Sequence, residues 1–237
     1  MRYPLTVDLS RTESVYPRAV ADVVATAQGR LHRDDQSRGR TGGPAGNARL
    51  TAWTGLVLLV LLAVEGFTLL SLGQLLGVHI FVGALLIPPV LLKTATTSWR
   101  ILRYYTRDAG YVQAGPPPLV LRMLGPVVVA TTLAVLGTGV LLITMGGDGL
   151  RASAILGLSM LTLHKASFIL WFAAMTVHVV TRAVPALRIV AVRDKPRRIV
   201  LGEAGRIVVL VLSLVIGLFV AAWVLDASSW WTTVWRN

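Results

Sequence analysis

The sequence predicts an all-α integral membrane protein: a four-helix transmembrane bundle plus a fifth transmembrane helix, with a cytoplasmic amino terminus and the carboxyl terminus outside. Three observations predict it. Of the 237 residues 54% are apolar and only 14% charged, with a mean hydropathy of +0.68. The apolar residues fall in five long blocks, and the basic residues crowd into the connections on one side.

A helix that crosses a bilayer needs about 20 mostly apolar residues. Blocks at 50–71, 76–99, 118–144, 160–184 and 206–225 meet that length. The prolines of "GPPPLVL" suit the first turn of the third block, and Pro88–Pro89 predicts a kink in the second. Residues 150–159 are expected to form a short interfacial helix leading into the fourth. The start of the chain has no apolar core behind a basic end and no small-residue cleavage site, so a removed signal peptide is not expected.

The segment before residue 50 carries eight Arg, residues 100–122 carry four, and residues 182–206 carry seven Lys or Arg, out of 23 in the chain. These three segments belong in the cytoplasm. The formal charge of +12 is thus a topology signal. With no basic and aromatic recognition module beside it, no nucleic acid is expected as a partner, and anionic membrane lipids are. Residues 1–49 read as a basic cytoplasmic tail, largely flexible and solvated, with one short helix in "PRAVADVVATAQGRL". Residues 189–237 hold a cytoplasmic connection, the fifth span and a Trp-rich end suited to an interfacial belt.

Cysteine is absent, which excludes disulfides, thiolate metal sites, iron–sulfur clusters and covalently attached haem. Histidine is then the main strong metal ligand. Three of the four histidines lie in apolar blocks: His79 opens "HIFVGALLIPPVLLK", and His164 and His178 bound "HKASFILWFAAMTVH". His79 and His164 are 85 positions apart, and so are Lys93 and His178. The second and fourth blocks therefore share one pattern at one depth, since alternate spans run parallel. A step of fourteen residues advances a helix by about 21 Å and returns to within about 40° of the same face. Two parallel helices with imidazoles at matched depths suit a haem b held between them, and a second pair that far away suits a second haem. Zinc fits less well, because two histidines at one depth lack its third and fourth ligands.

"LAVEG" in the first block echoes "LAVLG" in the third, which places Gly66 and Gly137 at matching positions, with Gly139 just beyond. Glycine there allows close approach of a flat macrocycle or of another helix.

Over residues 50–188 these features resemble the four-helix b-type cytochromes: the haem subunits of membrane-bound hydrogenases and formate dehydrogenases, and the amino-terminal half of respiratory cytochrome b. The resemblance implies iron ligation by His79, His164 and His178, one or two haems b, and electron transfer between a quinone pool and a partner redox subunit. Lys93 departs from the pattern, standing where a two-haem member has a histidine. It is a doubtful ligand: Lys93 ligates an inner haem opposite His178, or the inner haem is absent and Lys93 reaches for the interface, or His178 takes another ligand such as Met123. Arg182 and Arg100 are candidates to pair with an inner propionate, and Lys165 and Arg151 are the outer candidates; ordinary helix-end cations are the competing reading. Glu65, the one acid within a block, is expected nearer the outer histidines than Lys93, as a quinol proton acceptor or a carboxyl bonded to a neighbouring helix. His32, in the tail, is expected to be solvated. A haem-free membrane anchor or assembly subunit of a respiratory complex is the alternative function.

Overall fold

The computed structural model describes residues 15–30, 35, 40–146, 153–155, 157–191 and 202–229. Helix α1 is Val15–Ala27, α2 is Gly43–Thr68 and α3 is Leu72–Tyr105. A short helix α4, Ala109–Ala114, precedes α5, Leu119–Met145; α6 is Met160–Ala191 and α7 is Glu203–Ala227. Four stretches are long and apolar enough to cross a membrane: Gly43–Tyr105, Leu119–Met145, Met160–Ala191 and Glu203–Ala227.

The first of these stretches folds back on itself. A 3₁₀ turn at Leu69–Ser71 follows α2, and Ser71 leaves helical geometry at φ −145°, ψ 53°. Cross-links then run in antiparallel order: Asn47 Nδ2 donates to Thr96 O at 3.0 Å, Lys93 Nζ donates to Thr51 O at 2.8 Å, and Glu65 meets His79. The buried residues Leu58, Val82 and Leu86 fill the seam between the arms.

Several helices outrun their hydropathy. The first begins seven residues before position 50, because Pro44 fits an opening turn and Asn47 is tied to α3. Helices α3 and α6 continue to Tyr105 and Ala191, past the arginines at which their apolar blocks end. A charge ends a hydropathy window without ending a helix. Pro88 and Pro89 lie inside an unbroken α3.

One expectation is corrected. The described part of residues 150–159 is not an interfacial helix: Ser153–Ile155 (β1) pairs antiparallel with Leu158–Ser159 (β2), and Gly157, at φ +76°, makes the reversal. In the described part of the tail, α1 packs on α6, Thr26 is buried, and Arg188 Nη1 donates to Gly29 O at 2.5 Å. His32 lies outside the described residues.

Helix α2 packs against both α3 and α6, and α5 packs mainly against α6 and only lightly against α3. Helices α3 and α6 thus stand on the diagonal of a four-helix arrangement and hardly touch among the described residues. Helix α7 lies outside this group, on α3. Ala221 is fully buried there, and a Cβ on Gly217 would stand 2.8 Å from Leu85 O, so small residues four apart set the close approach. The polar ends of α2 and α7 meet where Arg49 pairs with Glu203 and Arg206 Nη1 donates to Thr41 O at 3.1 Å.

Candidate cofactor site between the diagonal helices

His79 and His164 lie early in α3 and α6, at the end of the bundle where the neighbouring Ile80 and Met160 share one buried cluster. Ile80, Leu142 and Met160 form a buried cluster beside them, which closes that end from α3, α5 and α6.

Each ring is gripped by one nitrogen. His79 Nδ1 lies 3.0 Å from Glu65 Oε1 and 3.1 Å from Thr68 Oγ1. The hydroxyl of Thr68 has one proton, and it goes to Glu65 O at 2.6 Å, so the hydroxyl faces the ring with a lone pair. With the Glu65 oxygen accepting as well, the tautomer this network favours has its proton on Nδ1 and its lone pair on Nε2.

His164 repeats the logic with different residues. Its Nδ1 lies 3.0 Å from Thr138 Oγ1, whose proton goes to Ala134 O at 2.7 Å, and the ring also reaches the Val135 backbone. Ser167 Oγ donates to His164 O at 2.9 Å and stands 3.2 Å from Thr138 Oγ1. A serine and a threonine thus fix both the main chain and the ring, with Nδ1 again the donor. Trp171 Nε1 donates to Thr132 Oγ1 at 3.1 Å and ties α6 to α5 one and two turns further in.

Glu65 lies against His79, at the end of the bundle that the sequence reading assigns to the outside, hereafter the outer half, while Lys93 meets Thr51. The Glu65 side chain is 16% exposed and its Oε2 is buried without a hydrogen-bond partner among the described residues. An orphaned carboxyl oxygen is costly in an apolar setting, which makes this the most strained polar group of the outer half.

The glycines divide. A Cβ at Gly139 would lie 3.3 Å from His164 Cε1, so that residue makes room for the ring; a Cβ at Gly83 would lie equally near Glu65 Oε1. Gly66 and Gly137 face open space, where a Cβ would meet nothing within 4 Å. Lys165 is exposed, and Arg151 lies outside the described residues.

Fourteen residues further along α3 and α6 stand Lys93 and His178, with Arg182 one turn beyond His178 on α6. The geometry differs from the outer pair. Lys93 Nζ donates to Thr51 O on α2, in a notch left by Gly55, where a Cβ would stand 2.8 Å from the amine. No hydrogen bond holds the His178 ring among the described residues. Met123 is 64% exposed at the start of α5 and turned away from any ligand role, and Arg100 pairs with Asp35.

No protein-family model, curated protein or solved structure matches this chain. The function must be argued from the site. No group of three or more His, Cys, Asp or Glu side chains that could hold a metal ion occurs among the described residues, which disfavours a zinc-type centre. Two imidazoles on helices that hardly touch make a donor set of a different kind: it suits a flat group that brings its own four equatorial ligands. The donor chemistry of His79 and His164 is compatible with haem b.

The hydroxyls were missed by sequence reasoning. Thr138 sits between the two glycines of "LGTGV", and Thr68 lies eleven residues before His79; a search for donors one helix turn around the glycines offers the first, and nothing in the pattern offers the second.

Proposed function

We propose that this chain is a haem b-containing membrane electron-transfer subunit that links the quinone pool to a partner redox protein. The observation that carries the reading is the matched support of His79 and His164: each ring meets side-chain oxygens at Nδ1, an arrangement that suits ligation through Nε2. In this reading the chain crosses the cell membrane five times, α2 and α3 being separate crossings, with the amino terminus in the cytoplasm as the distribution of Lys and Arg requires.

Bound haem b supplies a centre that gains and loses one electron at a time. The protein's own contribution is orientation. Glu65 and Thr68 hold the His79 ring, Thr138 holds His164, and partners of this kind raise ligand basicity and fix the ring plane. Glu65 Oε2, buried and without a partner among the described residues, is the group poised to take a proton from a quinol at this end. Lys93 is held by Thr51 O rather than aimed at iron, which favours one haem over two. The chain has no flavin, nucleotide or molybdenum motif, so substrate chemistry belongs to the partner.

The test is a pyridine haemochromogen spectrum of the detergent-purified protein, with haem per polypeptide counted, beside His164→Ala. About one haem per chain, lost in the variant, is the expected result. About two would make Lys93 a ligand. None, after expression with ample haem, overturns the reading and leaves the haem-free anchor.

A further inference from the structure

The inner half of the bundle holds a cluster that electron transfer through the outer histidines does not use. Lys93 on α3 and His178 on α6 each stand fourteen residues along from the outer pair, Arg182 lies one turn beyond His178 on the same face of α6, and Arg100 lies two turns beyond Lys93. At about 1.5 Å per residue, Arg182 lies about 6 Å nearer the cytoplasm than the level of Lys93, and Arg100 about 10 Å nearer. The cations form a ladder descending from the cytoplasmic end into the apolar bundle.

No acid among the described residues balances the lower rungs. The ion pairs there commit Glu203 to Arg49, Glu65 to His79, Asp35 to Arg100 and Asp108 to Arg103. None reaches Lys93 or Arg182. Lys93 uses one of its three N–H donors on Thr51 O, and Arg182 has no hydrogen-bonded partner among the described residues. Unpaired like charges at membrane depth are costly and persist where a ligand compensates them.

The bundle also leaves a way in. The buried cluster shared by α3, α5 and α6 sits at the outer end, around Ile80, Leu142 and Met160, and α5 otherwise packs only lightly against α3, far less than against α6.

We propose that Lys93, His178 and Arg182 bind the phosphate of an anionic phospholipid of the cytoplasmic leaflet, whose headgroup enters between α3 and α5 and completes the inner half of the bundle. A tetrahedral oxyanion matches this set: the guanidinium offers paired donors, and the ammonium offers its remaining two. The acyl chains lie against the exposed apolar faces of α3 and α5, where Leu91, Met123 and Val127 face outward. The proposal does not depend on haem at the outer pair.

Native mass spectrometry of the full-length protein in mild detergent tests it, with titration of dioleoylphosphatidylglycerol against dioleoylphosphatidylcholine. The expected result is one phosphatidylglycerol per chain, retained at least about tenfold more strongly than phosphatidylcholine, with the preference lost in Arg182→Gln and in Lys93→Met. Haem content, counted in the same samples, reports folding of the outer half and stays at the wild-type value. Equal retention of the two lipids by the wild type overturns the proposal, as does a preference untouched by Arg182→Gln. Two haems per chain without a lipid preference would assign the cations to a cofactor carboxylate instead. A lipid preference in a protein without haem would sink the proposed function and leave this site standing.

Discussion

The outer and inner halves of the bundle start from the same pattern and end as different sites. Each places one residue on α3 and one on α6 at a shared depth, fourteen positions from its counterpart. At the outer end both residues are imidazoles, each with a side-chain oxygen within hydrogen-bond distance of Nδ1. At the inner end an amine is turned sideways onto Thr51 O, and no hydrogen bond holds the facing imidazole among the described residues. The comparison teaches that equal spacing does not give equal surroundings: under the proposed function it is the oxygen atoms at Nδ1, which orient the ring, that set the outer pair apart.

The largest effect that would break the comparison is on haem itself. His79→Ala should reduce haem from about one per chain to nearly none, whereas His178→Ala should leave it unchanged, as counted by haemochromogen absorbance. Equal losses in the two variants would put a ligand in both halves. Next in size, Lys93→His completes the set of four imidazoles and removes the amine from the Gly55 notch; the expected outcome is a rise from about one haem toward about two. A count that stays at one would mean that the unsupported His178 ring cannot serve even with a partner opposite.

Smaller effects sharpen the outer half. Glu65→Ala should weaken haem retention about 10- to 100-fold, measured by transfer to apomyoglobin, with Glu65→Gln close to wild type because the amide still accepts from Nδ1. If Glu65→Gln nevertheless slows haem reduction by a quinol analogue, the carboxyl moves protons as well as orienting the ring; normal reduction would confine it to orientation. Gly139→Leu should push on His164 and weaken retention about tenfold, and Gly66→Leu should change little, since a side chain there meets open space. The smallest expected effect lies away from both halves: Gly217→Leu wedges α7 from α3 and should cost about 1–3 kcal/mol of stability in detergent, with haem content per folded chain unchanged.

Much of this molecule is legible in the amino-acid order. Membrane-crossing helices follow from blocks of about 20 apolar residues, because the bilayer leaves an isolated backbone few other ways to satisfy its hydrogen bonds. The common depth of His79 and His164, and of Lys93 and His178, follows from spacing in parallel helices. So does the placement of Glu65 near the outer pair, by counting rise from the turn. These are properties of single helices, and a local period determines them.

What the tertiary structure decided is of another kind. That Thr68 and Thr138 accept from the histidines, that Lys93 finds a main-chain carbonyl across the Gly55 notch, that α1 docks on α6, and that Gly217 and Ala221 seat α7 all depend on how far each helix is rotated about its axis and which neighbour it meets. Hydropathy cannot supply that rotation, since lipid and protein are about equally apolar surroundings for a spanning helix. Helix-to-helix close packing and the pairing of a few polar atoms select it, and both exist only once the helices are together.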